Sequence, residues 1–137
     1  MPDQRYPVNY VSFFERFNEQ RFFEAHEVLE VLWLPSRQAT EASFYKGLIQ
    51  LAGAFVHLQK ARPDPATRLL KLARGNLLRY PPVYEGLALA EVLRLIDHWL
   101  MGIDCSATER LKLTPATAPR LCLLESSELR TREQEEA

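Results

Sequence analysis

Apolar residues recur along most of the chain at the three- and four-residue spacing of one helix face, and the alternation of a half-buried strand is almost absent. The first periodic stretch, "FFERFNEQ", follows Asn9 and Ser12, either of which can cap a first helix. A second helix is predicted from about Arg21 to Leu34, stopped by Pro35. "PSRQA" reads as a turn. A third helix runs from about Thr40 to Lys60, and "ARPDPAT" breaks it. Asp64 as N-cap and Pro65 at the first helical position predict a fourth helix to about Arg79, ended by "YPPVYEG". The fifth covers about Gly86 to Met101, with Gly102 as its C-cap. Beyond it, "LTPATAPRLCLLE" reads as an extended, Pro-punctuated strap that packs Leu121, Leu123 and Leu124 back on the helices. "SSELRTREQEEA" has no apolar period and reads as a solvated or disordered tail. The predicted fold is all-α. It is an irregular bundle of about five helices in a single domain over 1–125, with helix 40–60 central and 126–137 as the tail.

Polar residues interrupt two of the apolar faces. In "FFEAHEVLEVLW" (22–33), setting His26 at zero places Glu30 at about 40° and Glu27 at about 100°. Phe22 and Trp33 flank His26 at about −40° and −20°. These groups lie inside an apolar arc rather than on a separate solvent face. In "FYKGLIQLAGAFVHLQK", setting Lys46 at zero places Gly53, His57 and Gln50 at about −20°, 20° and 40°. Nearly every other direction on that helix is apolar or small, so it belongs in the middle of a bundle. Its narrow polar stripe should face another, because unpaired buried polar groups are costly.

The short connection makes these two helices antiparallel neighbours. A turn centred near Gln38 sets Glu30 opposite Lys46, and His26 opposite Gln50. His57 falls roughly 16 Å along the helix from Lys46, near Asn18 and Glu19. The expected arrangement is a compact buried cluster of His26, Glu27, Glu30, Lys46 and Gln50. Three readings fit it. A buried Glu30–Lys46 pair completed by His26 and Gln50 can fix helix register with no ligand. A metal can be held by His26 and Glu30, one helical turn apart, with Glu27 swinging in. That reading lacks a repeated Glu-x-x-His and the second His of a zinc helix, and Lys46 repels a cation. A small-ligand or hydrolase-like pocket would use Glu27 or Glu30 as general base, His26 as partner, and Lys46 or Tyr45 to hold an anionic group.

Composition narrows the classes. The chain has 137 residues, 47% hydrophobic and 26% charged, with a formal net charge of −1. That describes a folded chain with a sizeable core. No Lys/Arg-rich block stands out, so no nucleic-acid partner is expected. "MPDQRYPVNY" has no apolar signal core and no run of 18 apolar residues exists, so neither a secretory leader nor a membrane span is expected. Cys105 and Cys122 match neither a zinc nor a thioredoxin spacing, which points to ordinary thiols in a cytoplasmic chain. No cofactor is expected apart from the rival metal. Trp33 and Trp99 read as core anchors. Leu89, Val92, Leu93 and Ile96 should join the core, and any exposed remainder of the last helix would mark a homo-oligomer interface.

"FNEQRFFEAHEVLEVLW" followed by "FYKGLIQLAGAFVHLQK" resembles the bacterial and archaeal domain-of-unknown-function 309 family. The resemblance is strong over about residues 13–60, and "LLKLARGNLLRYPPVYEG" extends it more loosely. "RPDPATR" departs from the Asn- and Gly-Ala-containing turn of that family. The resemblance implies a small, all-helical soluble domain and no established reaction. The motif positions it carries over are Glu24, His26, Glu27, Glu30, Trp33, Tyr45, Lys46, Gln50 and His57.

Overall fold

The computed structural model describes residues 5–104 and 111–125. Five α-helices run in order: α1 Val8–Asn18, α2 Phe22–Trp33, α3 Ala42–Gln59, α4 Pro63–Leu77 and α5 Leu89–Asp104. A single 3₁₀ turn, Leu34–Ser36, follows α2 where Pro35 stops it. The all-helical reading holds, with one addition. Two short antiparallel strands, β1 Val83–Tyr84 and β2 Leu87–Ala88, precede α5, with Tyr84 paired to Leu87. The expected start of the fifth helix at Gly86 is therefore corrected. Glu85 and Gly86 both take positive φ, 48° and 73°, as a two-residue hairpin turn of the favoured hand requires. The Tyr10 hydroxyl donates to the Glu85 carbonyl at 2.8 Å and holds that turn against α1.

Each helix buries one stripe. α1 buries Tyr10, Phe13, Phe14 and Phe17, and α5 buries Leu89, Val92, Ile96, Trp99 and Ile103. α3 buries residues on most of its circumference and packs between α2 and α4, as its apolar surround implied. Phe17, Phe22, Phe55 and Trp99 form a chain of edge and tilted ring contacts through the core, with centroids 5.0, 5.3 and 5.2 Å apart.

Helix ends depart from the expected caps. Neither Asn9, Ser12 nor Asp64 caps a helix: Pro7 precedes α1, and Arg62 precedes an α4 that begins at Pro63. The Asn9 amide instead donates to the Val28 carbonyl on α2 at 2.9 Å. α1 and α3 both end in left-handed residues that are not glycine, Gln20 (φ 64°) and Ala61 (φ 55°). In α3 the Ala61 N–H reaches Leu58 O and the Arg62 N–H reaches His57 O, the paired bonds that close a helix with a left-handed cap. Gly102 is not a C-cap, since α5 continues to Asp104.

Residues 111–125 form the extended strap. Leu121 and Leu124 are buried and Leu123 is partly buried against the core. Asn18 grips the strap twice: Leu121 N–H donates to its Oδ1 and its Nδ2 donates to Leu121 O, both at 2.7 Å. Leu124 N–H donates to Gly86 O at 2.7 Å, tying the strap to the hairpin. Cys105 and the 126–137 tail lie outside the described residues, and Cys122 is exposed.

Candidate functional site

Three helices converge on one groove. α3 supplies its floor with Ile49, Gln50, Gly53, Val56 and His57, which share one helix face. Phe23 and His26 from α2 and Leu69 from α4 form the walls. Gly53 keeps the floor low: a Cβ there would lie 3.3 Å from Leu69 Cδ1. The cavity measures about 280 Å³. His26 with Gln50, and Phe23 with Gly53, are the pairs that a turn about Gln38 sets opposite each other, so the expected register of α2 against α3 fits the observed lining.

The groove is apolar apart from three side chains, and their partners differ. Phe23, 56% exposed, stacks on the His26 ring with centroids 6.1 Å apart. His26 Nε2 lies 3.3 Å from Glu30 Oε2. In the tautomer whose proton sits on Nε2, facing that carboxylate, Nδ1 carries the lone pair. Gln50 Oε1 accepts from the Asn76 amide of α4 at 2.7 Å. Nδ1 of His26 and Nδ1 of His57 are both buried and neither has a hydrogen-bond partner. His57 binds a proton less readily than an ordinary histidine, first because burial removes water from the ring, then because Arg62, Lys60 and Arg68 add like charge.

The expected cluster does not form as a buried network. No polar or charged residue is buried among the described residues. Lys46 is exposed, and its Nζ lies 5.9 Å from the Trp33 ring centroid instead of beside Glu30. Glu27 is exposed, and the His26 and Glu30 side chains keep 32% and 43% of their surface. The long Lys46 side chain reaches water while its stem covers apolar surface, so no buried pair is needed at that position. Trp33 is partly buried and packs against the edge of the core, whereas Trp99 is 1% exposed within it. His57 was expected near Asn18 and Glu19. It lines the groove with His26, while Gln59, two residues on, donates to the Gln20 carbonyl just past α1, and Asn18 is engaged by the strap.

The remaining candidates lie elsewhere. Glu24 pairs with Arg21 at 2.8 Å on the surface. Tyr45 is buried against Tyr10 and Phe44, and burial, then Glu41 and Glu85, push its hydroxyl up to about 12. It stays protonated and does not line the groove. Among the described residues no group of three or more His, Cys, Asp and Glu side chains could hold a metal ion, so His26 and Glu30 lack a third ligand. Leu69 and Asn76 were missed by the sequence reading. Their signal was present, since the two sit seven residues apart on one face of α4. A larger space of about 560 Å³ lies between the start of α4 and the end of α5 and mixes Asp64, Arg68, Lys71 and Asp104.

The groove falls wholly inside one recognisable segment. Residues 10–69 match the family model "Domain of unknown function (DUF309)". The resemblance read from the motifs is borne out, and the DUF309 segment takes in most of α1, all of α2 and α3 and the first turns of α4. An uncharacterized protein of Aquifex aeolicus is 26% identical over 84 residues, 61% of this chain and 25% of that protein. The uncharacterized protein YpuF of Bacillus subtilis is 33% identical over 66 residues, 47% of this chain and 38% of that protein. The chain thus matches well under half the length of either relative. No solved structure matches. No helix among the described residues is long and apolar enough to cross a membrane.

Proposed function

We propose that the protein is a ligand-binding helical module and that the DUF309 groove between α2, α3 and α4 is its site for a small molecule. One observation carries the reading: an open, largely apolar cavity of about 280 Å³ into which α2 and α3 bring only His26, Gln50 and His57 as polar side chains. An apolar body laid on Phe23, Ile49, Val56 and Leu69 would gain roughly 25 cal/mol for each Å² it buries. The volume, about 280 Å³, lies just under the roughly 300–1,000 Å³ of drug-sized ligand sites, so the occupant is small. Neither Glu27 nor Glu30 lines the groove, so the carboxylate base of the hydrolase reading does not face the ligand.

The test titrates the purified protein with a library of small neutral and charged molecules while the His26 and His57 ring resonances are followed by NMR. A binder should shift both rings saturably. Val56→Trp, which fills the groove from a half-buried position, should abolish those shifts while its circular dichroism and melting remain those of a folded protein. The reading fails if no molecule moves either ring, or if the Val56→Trp protein responds like the parent.

A further inference from the structure

The groove is lined without an Asp, Glu, Lys or Arg side chain. A charged molecule seated there would shed water and meet no counter-charge, a loss that apolar walls do not return. Its polar side chains do not change that. Gln50 carries no charge. His26 Nε2 lies 3.3 Å from Glu30 Oε2, so any charge on that ring is already matched. His57 is neutral at neutral pH, because burial first and then its cationic neighbours disfavour the extra proton.

The polar atoms that Gln50 and His57 leave accessible are N–H donors. Gln50 Oε1 is taken by the Asn76 amide at 2.7 Å, whereas Gln50 Nε2 has no partner among the described residues and is not buried. The amide cannot offer its carbonyl to the groove without Asn76 turning over as well. In His57 the Nδ1 atom is buried, and Nε2 is the accessible nitrogen. A buried N–H without an acceptor is the costlier orphan, which puts the proton of the neutral ring on Nε2. Phe23, more than half exposed, and the His26 ring stacked on it make a flat aromatic wall.

We propose that the groove takes an uncharged planar molecule, a ring bearing a carbonyl or a similar hydrogen-bond acceptor, with the acceptor on Gln50 Nε2 and the ring over Gly53 against Phe23 and Leu69. This rests on the groove being a ligand site and names the class of ligand. Each part of such a molecule meets its complement. The ring covers apolar surface at the one position of the floor that has no side chain, where a Cβ would already lie 3.3 Å from Leu69 Cδ1. The acceptor takes the place of water on the Gln50 amide. A hydrogen bond between neutral groups should tighten binding by about two- to tenfold over a hydrocarbon of the same shape.

The experiment uses four molecules of one shape: acetophenone, isopropenylbenzene, benzoate and benzamidinium. They carry a carbonyl, its hydrocarbon counterpart, a negative charge and a positive charge. The full chain is titrated with each by NMR at about pH 7.5, where benzoate is ionised. Acetophenone should bind tightest and shift the Gln50 side-chain NH₂ resonances. Isopropenylbenzene should bind about two- to tenfold more weakly. Both ions should bind at least about tenfold more weakly than acetophenone. Gln50→Glu gives a second readout. Its carboxylate still accepts from Asn76, so the bond between α3 and α4 is kept, but the donor is gone and a charge takes its place. This variant should prefer benzamidinium to acetophenone, and acetophenone should lose its advantage over isopropenylbenzene. An ion that binds the parent as tightly as acetophenone does would overturn the neutral class and leave the groove a ligand site. Acetophenone no tighter than isopropenylbenzene, or an unchanged ranking in Gln50→Glu, would overturn the acceptor on Gln50. Binding of none of the four also overturns the class, and the wider library then decides the groove itself. Acetophenone binding that persists in Val56→Trp would place it outside the groove and overturn the proposal.

Discussion

His57 pays for its position with an unpartnered ring nitrogen and a lowered proton affinity. The two costs act differently on stability. The orphan Nδ1 weakens the folded state at every pH. The lowered proton affinity acts only where the unfolded chain, with an ordinary histidine near pKa 6.5, takes up a proton that the folded chain resists. There the unfolded state binds more protons, so stability rises with pH through the window below about 6.5 and is lost as pH falls through it. His57→Phe removes both effects. Its unfolding free energy in urea should equal or exceed that of the parent at neutral pH, by up to about 1 kcal/mol. Between about pH 5 and 7 its stability should change less than that of the parent. A clear loss of stability at neutral pH would instead make His57 a structural member of the bundle. His26 was legible as a histidine on an apolar arc, but its lone pair was not. That depends on Glu30 lying next to Nε2, whereas the sequence reading assigned Glu30 to Lys46.

Helix ends show why element boundaries resist a sequence reading. α3 has no side-chain cap at Glu41. Its first turn is closed by Tyr80, beyond the end of α4. The Tyr80 hydroxyl accepts from the Phe44 N–H at 2.9 Å and donates to the Thr40 carbonyl at 2.8 Å. One phenol thus does for α3 what a local Ser or Asp does in most helices. Nothing within four residues of Phe44 announces it. Tyr80→Phe keeps the ring packed on Phe44 and Tyr84 and removes only the hydroxyl. It should cost about 1 kcal/mol in chemical denaturation and speed hydrogen exchange at the Phe44 amide selectively. Unchanged exchange there would mean that the tyrosine is held by its ring contacts alone. The strands were missed for a similar reason. Each has two residues, too few to show alternation, and the turn between them is Glu85–Gly86 rather than an Asn-Gly or Asp-Gly pair.

At the scale of the whole molecule the strap joins the two ends of the described chain. Asn18, at the end of α1, imitates a strand edge by giving Leu121 both an acceptor and a donor. Arg5 donates to Leu124 O at 3.2 Å, so residues before α1 and after α5 meet at the hairpin turn. Asn18→Ala would leave the backbone N–H and C=O of buried Leu121 unpaired. The expected cost is roughly 2 kcal/mol, with loss of exchange protection at Leu121 and Leu124 before any loss in α3. If those amides stay as protected as α3, the apolar anchors Leu121 and Leu124 hold the strap without Asn18. The groove opens on another face, lined by none of the strap residues, so Asn18→Ala should leave ligand binding intact once the protein is folded.

The sequence by itself determined the number and order of the helices, the central place of α3, the antiparallel register of α2 on α3, and the strap. Those follow from local periodicity, from breakers such as Pro35, and from a turn short enough to leave one way of folding back. What the tertiary structure alone decided is where the polar side chains of that register point. α4 packs along the other side of α3, and Asn76 on it takes the Gln50 carbonyl. Lys46, long and at an edge, turns to Trp33 and water instead of to Glu30. His57 remains on the face where α2, α3 and α4 fail to close over Gly53, and so shares a cavity with His26. A helical wheel places a residue on a face but is silent about a third helix arriving from later in the chain. The groove exists because that third helix supplies only Leu69 where a larger side chain would have filled the space.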